Sequence, residues 1–275
     1  RSSDLLNKDL MEEFRMKKAR IPFLSIGLIV MAVIIINMVL NQNKEVVQAE
    51  EMYEEISETV KVTSSESKTG AEPETETTVH EELVETTSDE SDDEIRFFSE
   101  IDFDALREKN QDIVAWITVG GTKIDYPVVF DGTDDYLNKS IEGKKSATGS
   151  IFIDEDAENI FNDFLTIVYG HHMKSGSMFA AVDDFNYENF WNNHKDVTVY
   201  TDDCKREYIP YLCVVGKGDA DIRSIKDAES LSTFCEGKTI TQGEIPEEMP
   251  QTVTLVTCNY SGNDYRTYLF CGIAE

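Results

Sequence analysis

Val253-Thr254-Leu255-Val256-Thr257-Cys258 is an alternating, β-branched run that stops at Asn259, Ser261, Gly262 and Asn263. β-branched side chains fit a pleated, half-buried surface, and Asn, Ser and Gly favour turns, so this stretch reads as a strand that ends on a cysteine. Working outward, the same signal recurs at Ile113–Ile117, Tyr126–Phe130, Ser150–Ile153, Leu165–Tyr169, Val197–Thr201, Glu207–Val215 and Thr267–Ile273, with the cysteine strand itself spanning Thr252–Thr257. About eight short strands at this spacing predict a mainly β domain closed into a barrel or stacked as a sandwich. Helical periodicity interrupts them at Phe103–Asn110, at Ser177–Phe185 and Tyr187–Asn193, and at Ile222–Cys235 just before the cysteine strand. No internal repeat is found.

The chain has 275 residues and a formal charge of −29, divided as +2 over residues 1–40, −15 over 41–94 and −16 over 95–275. Such a surface repels polyphosphates, which argues against nucleic acid as a partner. Ile21–Leu40 is 20 residues without a charge, long enough as a helix to cross a bilayer core of roughly 30 Å. Arg15, Lys17, Lys18 and Arg20 flank it on one side and an acidic stretch on the other, which places residues 1–20 in the cytoplasm and the rest outside. A cleaved signal peptide would have a shorter apolar core and a small-residue cleavage site, so an uncleaved anchor is expected. Residues 41–94, rich in Glu, Thr and Ser, are expected to form a disordered acidic stalk, transiently helical at most through about Val62. One folded domain is expected over residues 95–275, and Arg1 in place of a methionine suggests that the natural chain starts earlier.

Five cysteines, Cys204, Cys213, Cys235, Cys258 and Cys271, lie toward the C-terminal end of the chain. An odd number leaves at least one free or paired between chains. With no C-x-x-C spacing, a structural zinc site is not expected. Cys213 and Cys271 sit in apolar strands and read as small core residues. Cys258, at a strand end beside a turn, is placed as a nucleophile would be, although a lone cysteine there is more often buried and inert. Tyr169-Gly170-His171-His172 ends another apolar strand, and histidine suits proton transfer near neutral pH. His80 and His194 read as surface or rim residues. Arg266 opens the last strand across the Cys258 turn, where a guanidinium can hold an oxyanion; its bland alternative is an ion pair with Asp264. Cysteine, histidine and arginine at three strand ends make a cysteine acyl-transfer site without an evident third carboxylate.

Tyr169-Gly170-His171, Thr254-Leu255-Val256-Thr257-Cys258 and Arg266, in that order, resemble the sortases, cysteine transpeptidases of Gram-positive cell surfaces. Asp112–Ile117, Tyr126–Val129, Gly149–Asp154, Gly170–Met173 with Met178-Phe179, and the helix before the cysteine strand are similar to class B members in particular. The resemblance covers roughly residues 97–275. It implies an eight-stranded sortase-type β-barrel with flanking helices, in which Cys258 attacks a threonine carbonyl of a C-terminal sorting signal, His171 protonates the leaving amine and Arg266 holds the oxyanion. It further implies surface proteins as substrates, peptidoglycan or its precursor as amine acceptor, no cofactor, no metal, and a thiolate–imidazolium pair whose scarcity keeps turnover slow. The family pattern favours His171 over its rival His172; Tyr169, Leu137 and Thr257 are the weaker candidates for the sorting-signal groove. Three departures stand out: a seven-residue spacer between Cys258 and Arg266, Val256 where relatives often carry serine, and Thr133 where they can carry a substrate-contacting asparagine. A cysteine peptidase would use the same residues with water as acceptor, and a stalked adhesin or receptor domain would leave Cys258 structural.

Overall fold

The computed structural model describes residues 2–62, 101–218 and 220–274. The chain divides into two compact units, residues 1–48 and residues 49–275. A single helix, α1 (Ser2–Val62), supplies the described part of the first unit and enters the second. In the first unit the apolar side chains between Leu28 and Leu40 are exposed. Among the described residues, Leu28–Val60 is the one helix long and apolar enough to cross a membrane, by length and composition.

The second unit is built on α2 (Phe103–Lys109), β1 (Ile113–Val119), β2 (Asp125–Val129), β3 (Ile151–Ile153), β4 (Leu165–Tyr169), α3 (Ala180–Asp184), α4 (Glu188–Asn193), β5 (Val197–Tyr200), β6 (Lys205–Lys217), α5 (Ala228–Cys235), β7 (Thr239–Gly243), β8 (Thr252–Asn259) and β9 (Tyr265–Ile273). The sheet order is β5-β1-β2-β3-β4-β8-β9-β6-β7, and a β5–β6 pairing closes it. Eight strands therefore form the ring, and β7 is added outside it on the far half of β6. Closure removes the open edges that an eight-stranded sheet would otherwise expose. β7, a ninth strand that the sequence pattern did not reveal, has exposed and half-buried residues without apolar alternation.

Strands β8 and β9 are buried on both faces along most of their length, and β6 is buried on both faces from Leu212 to Val214. Along β8, Val253 and Leu255 join the main core, whereas Val256 joins a second cluster with Leu231 and Phe234 of α5. α5 thus covers the outer face of the strands that carry the cysteine. The helical signal at Ile222–Cys235 resolves into a 3-10 turn, Ala220–Ser224, followed by α5. Asp227 breaks it: its carboxylate accepts from the Ser230 N–H at 2.8 Å, and the Ser230 hydroxyl accepts from the Asp227 N–H at 3.1 Å, a capping box that starts a new helix.

The largest difference from expectation concerns the acidic stretch. Its first part is helical within α1, and from Ala49 onward it belongs to the barrel unit. Ala49, Tyr53, Ile56 and Val60, spaced to share one helical face, are buried in the main core. The Tyr53 ring meets Tyr126 edge-on at 5.1 Å, and the Ser57 hydroxyl donates to Asp125 at 3.2 Å, whose other oxygen accepts from the Trp116 indole at 2.7 Å. Average composition hid this because four apolar residues among many glutamates suffice when they line up on one face. The remainder of the expected stalk, including His80, and the expected start of the domain at residue 95 lie outside the described residues.

Ile56 is 3% exposed, so Ile56→Ala is expected to lower the stability of the barrel unit by about 3 kcal/mol. Urea denaturation checks this, and an unchanged midpoint would mean that the helix does not pack.

Candidate active site

The site is assembled by strand pairing. β4 and β8 run parallel, with Tyr169 opposite Val256, and β8 and β9 run antiparallel, with Cys258 opposite Arg266. His171, two residues beyond β4, therefore stands on one side of Cys258 and Arg266 on the other. A latch fixes the first pairing at its end: the Thr257 hydroxyl donates to the Gly170 carbonyl at 2.8 Å, and the Gly170 N–H donates to the Val256 carbonyl at 3.1 Å.

Cys258, His171 and Arg266 line one cleft of about 240 Å³ together with Leu137, Tyr169, Thr257 and Val256. All six residues singled out in the sequence for catalysis or the groove are thus brought to one place. Leu137 arrives on a 3-10 turn, Asp135–Leu137, in the connection between β2 and β3. Its carbonyl lies 2.7 Å from His171 Nε2. A carbonyl only accepts, so Nε2 carries the proton and Nδ1 is the nitrogen left to exchange one. Gly149 makes this contact possible: at φ +57°, a Cβ there would lie 2.5 Å from the Leu137 oxygen and 3.0 Å from His171 Cδ2.

Arg266 has both of the roles weighed for it in reach. It lines the cleft, and it sits 3.4 Å from the Asp264 carboxylate while donating to the Tyr265 carbonyl at 3.2 Å. Asp264 adopts φ +62° in the turn between β8 and β9. His172 does not line the cleft; its Nδ1 lies 2.9 Å from the Cys258 carbonyl. His194 is a rim residue, stacked on Phe190 at 3.8 Å. Thr133 bonds to Asp131 at 2.7 Å on the surface beside the cleft residue Asp134.

Sequence reasoning missed one wall of the cleft. Arg223, in the 3-10 turn before α5, pairs with Asp154 at 2.9 Å, Glu155 at 3.3 Å and Asp156 at 2.5 Å. The Tyr169 hydroxyl also donates to Asp154, at 3.0 Å. Burial first, and then the Asp154 charge, push the Tyr169 pKa up, so the phenol stays a proton donor at this wall. The only sequence hint was that Asp154 closes the Gly149–Asp154 segment; nothing linked it to Arg223, 69 residues away. Among the described residues, no group of three His, Cys, Asp or Glu side chains could hold a metal ion.

All five cysteines are free thiols. Burial raises the Cys213 pKa to about 12 and the Cys235 pKa to about 11, and drives that of fully buried Cys271 well above the usual thiol range. These three therefore remain protonated and unreactive, whereas Cys258 opens into the cleft.

No protein-family model matches the chain. It is similar to sortase B of Staphylococcus aureus, 38% identical over 96 residues, which are 34% of this chain and 38% of that protein. Sortase B of Listeria monocytogenes is 41% identical over 90 residues, 32% of this chain and 37% of the relative. The chain therefore spans well under half the length of the curated relatives it matches. Among solved structures, a mutant form of Clostridium perfringens sortase B superposes with a TM-score of 0.56 at 30% identity, covering 63% of this chain and 86% of that one. The chain belongs to the class B sortase family.

Iodoacetamide near pH 7 is expected to modify Cys258, and the half-exposed Cys204 more slowly, while Cys213, Cys235 and Cys271 react only after denaturation. Peptide mapping reads this, and labelling of the three buried thiols in the native protein would contradict it.

Proposed function

We propose that this protein is a membrane-anchored cysteine transpeptidase that joins surface proteins to the cell wall. The observation that carries the reading is the placement of Cys258, His171 and Arg266 on the ends of adjoining strands around one cleft. The apolar stretch near the N-terminus and its basic flank support an anchor with residues 1–20 in the cytoplasm and the barrel outside.

In this mechanism the Cys258 thiolate attacks the carbonyl carbon of a threonine in a C-terminal sorting signal. A C–S bond forms, and Arg266 donates hydrogen bonds to the oxyanion. The C–N bond then breaks as protonated His171 gives its Nδ1 proton to the leaving amine, leaving a thioester. An amine of peptidoglycan or its precursor attacks that thioester and passes a proton back to His171 Nδ1. The C–S bond breaks, a new amide forms and the thiolate returns, so the cycle consumes no cofactor. Leu137 and Tyr169 offer apolar and aromatic surface to the sorting signal. Thr257, whose hydroxyl is engaged by Gly170, offers its main chain and methyl group.

Mass spectrometry of the full chain and of Cys258→Ala, incubated with sorting-signal peptides with and without triglycine or diaminopimelate, tests the proposal. The expected result is cleavage that requires Cys258 and yields an amine-joined product. Cleavage with water as the only acceptor would make the protein a peptidase, and failure of every peptide to form an acyl-enzyme would favour a surface-binding domain. In the same assay Gly149→Ala, which displaces the Leu137 carbonyl from His171, is expected to lower kcat by about tenfold or more.

A further inference from the structure

We infer that His172 and Asp183 are positioning residues that hold the main chain of Cys258 from the side opposite the cleft. The inference rests on the reading of Cys258 as nucleophile and adds the part that aims it.

Adjacent residues in extended chain face opposite ways, so His171 and His172 divide between two sides. His171 lines the cleft, and His172 turns beneath the cysteine. Its Nδ1, 2.9 Å from the Cys258 carbonyl, must carry the proton of that bond. Asp183 on α3 places its charge beside the ring, with one carboxylate oxygen 3.7 Å from the same nitrogen, beyond hydrogen-bond distance. The two side chains are only 17% and 20% exposed.

The other oxygen of Asp183 grips the turn that follows. It accepts from Asn259 Nδ2 at 2.6 Å, from Asn186 Nδ2 at 2.8 Å and from the Thr267 hydroxyl. Asn259 in turn donates to Thr267 at 3.0 Å and accepts from the Ser261 N–H at 2.8 Å. Tyr260 completes the clamp: its hydroxyl donates to the His172 carbonyl at 2.7 Å, and its ring lies 4.5 Å from the imidazole. Each residue from Cys258 to Ser261 is therefore tied to His172, to Asp183 or to the Asn259 side chain that Asp183 holds. Charge-assisted bonds to a carboxylate are the strong members of such networks. Rotation of the Cys258 peptide would swing Sγ away from His171 and Arg266, and a displacement of about 1 Å in a reacting group can cost on the order of a hundredfold in rate.

The test uses the full chain in detergent with His172→Ala, His172→Asn, Asp183→Asn and the Asp183→Asn/His172→Ala double variant. Asparagine can present an N–H where the histidine Nδ1–H stood. His172→Ala is expected to lower kcat for sorting-peptide cleavage by about tenfold or more with KM within about twofold, and His172→Asn to restore most of the loss. Alkylation of Cys258 by iodoacetamide, followed by peptide mapping, should slow and recover in the same pattern. Asp183→Asn keeps an acceptor for Asn259 but loses the charge behind His172, so adding it to His172→Ala should cost less than a further twofold or so. Folded His172→Ala with parental kcat and alkylation rate would overturn the inference. So would His172→Asn as impaired as His172→Ala, or fully additive losses in the double variant. Should the parent cleave no sorting peptide, the transpeptidase reading fails, while the alkylation rates still decide the positioning role.

Discussion

The placement of β8 between a parallel neighbour, β4, and an antiparallel one, β9, is the constraint on which the site depends. Because the two neighbours run in opposite senses, the chain exits β4 and enters β9 at the same end of the sheet. A residue just past β4 and a residue at the start of β9 therefore flank the residue that ends β8. Burial on both faces fixes the register, since a one-residue slip would exchange Val253 and Leu255 for Thr254 and Val256 in the main core. The geometry of the reactive groups is thus inherited from hydrophobic packing well below them. α5 contributes by covering the outer face, with Phe234 edge-on to Tyr268 at 5.1 Å.

Much of this was legible in the chain. Alternating β-branched runs located all eight strands of the ring, and the residues at their ends located the cleft, because strand ends are where a rigid sheet gives way to open chain. The missing parts were those whose signal is not local. β7 sits outside the ring with little buried surface, so its pattern lacks apolar alternation. Asp154 and Arg223 meet only through the closed barrel, and either alone reads as a surface charge. Asp183 lies in a five-residue helix whose sequence, Ala-Ala-Val-Asp-Asp, gives no hint that one carboxylate reaches under the cysteine turn. The second histidine of the pair was legible only as a competitor for the first, whereas the fold gives each a separate side of the same strand end.

α1 shows most plainly how average composition misleads. A segment too acidic to fold alone becomes ordered where one helical face meets a preformed apolar surface, because the barrel supplies the burial the segment lacks. Its contacts also lie close to the chemistry: the Tyr53 hydroxyl is 3.5 Å from the carbonyl of Gly149, the residue whose bare Cα lets Leu137 reach His171.

That packing changes what the acidic segment can be in the covalent plan of the chain. Val62 and Ile101 both belong to the barrel unit, so residues 63–100 begin and end on the same body. Only residues 41–48 separate the apolar stretch from the first residue of that unit. Each residue gained or lost within 41–48 therefore alters the covalent link between the barrel unit and the apolar helix.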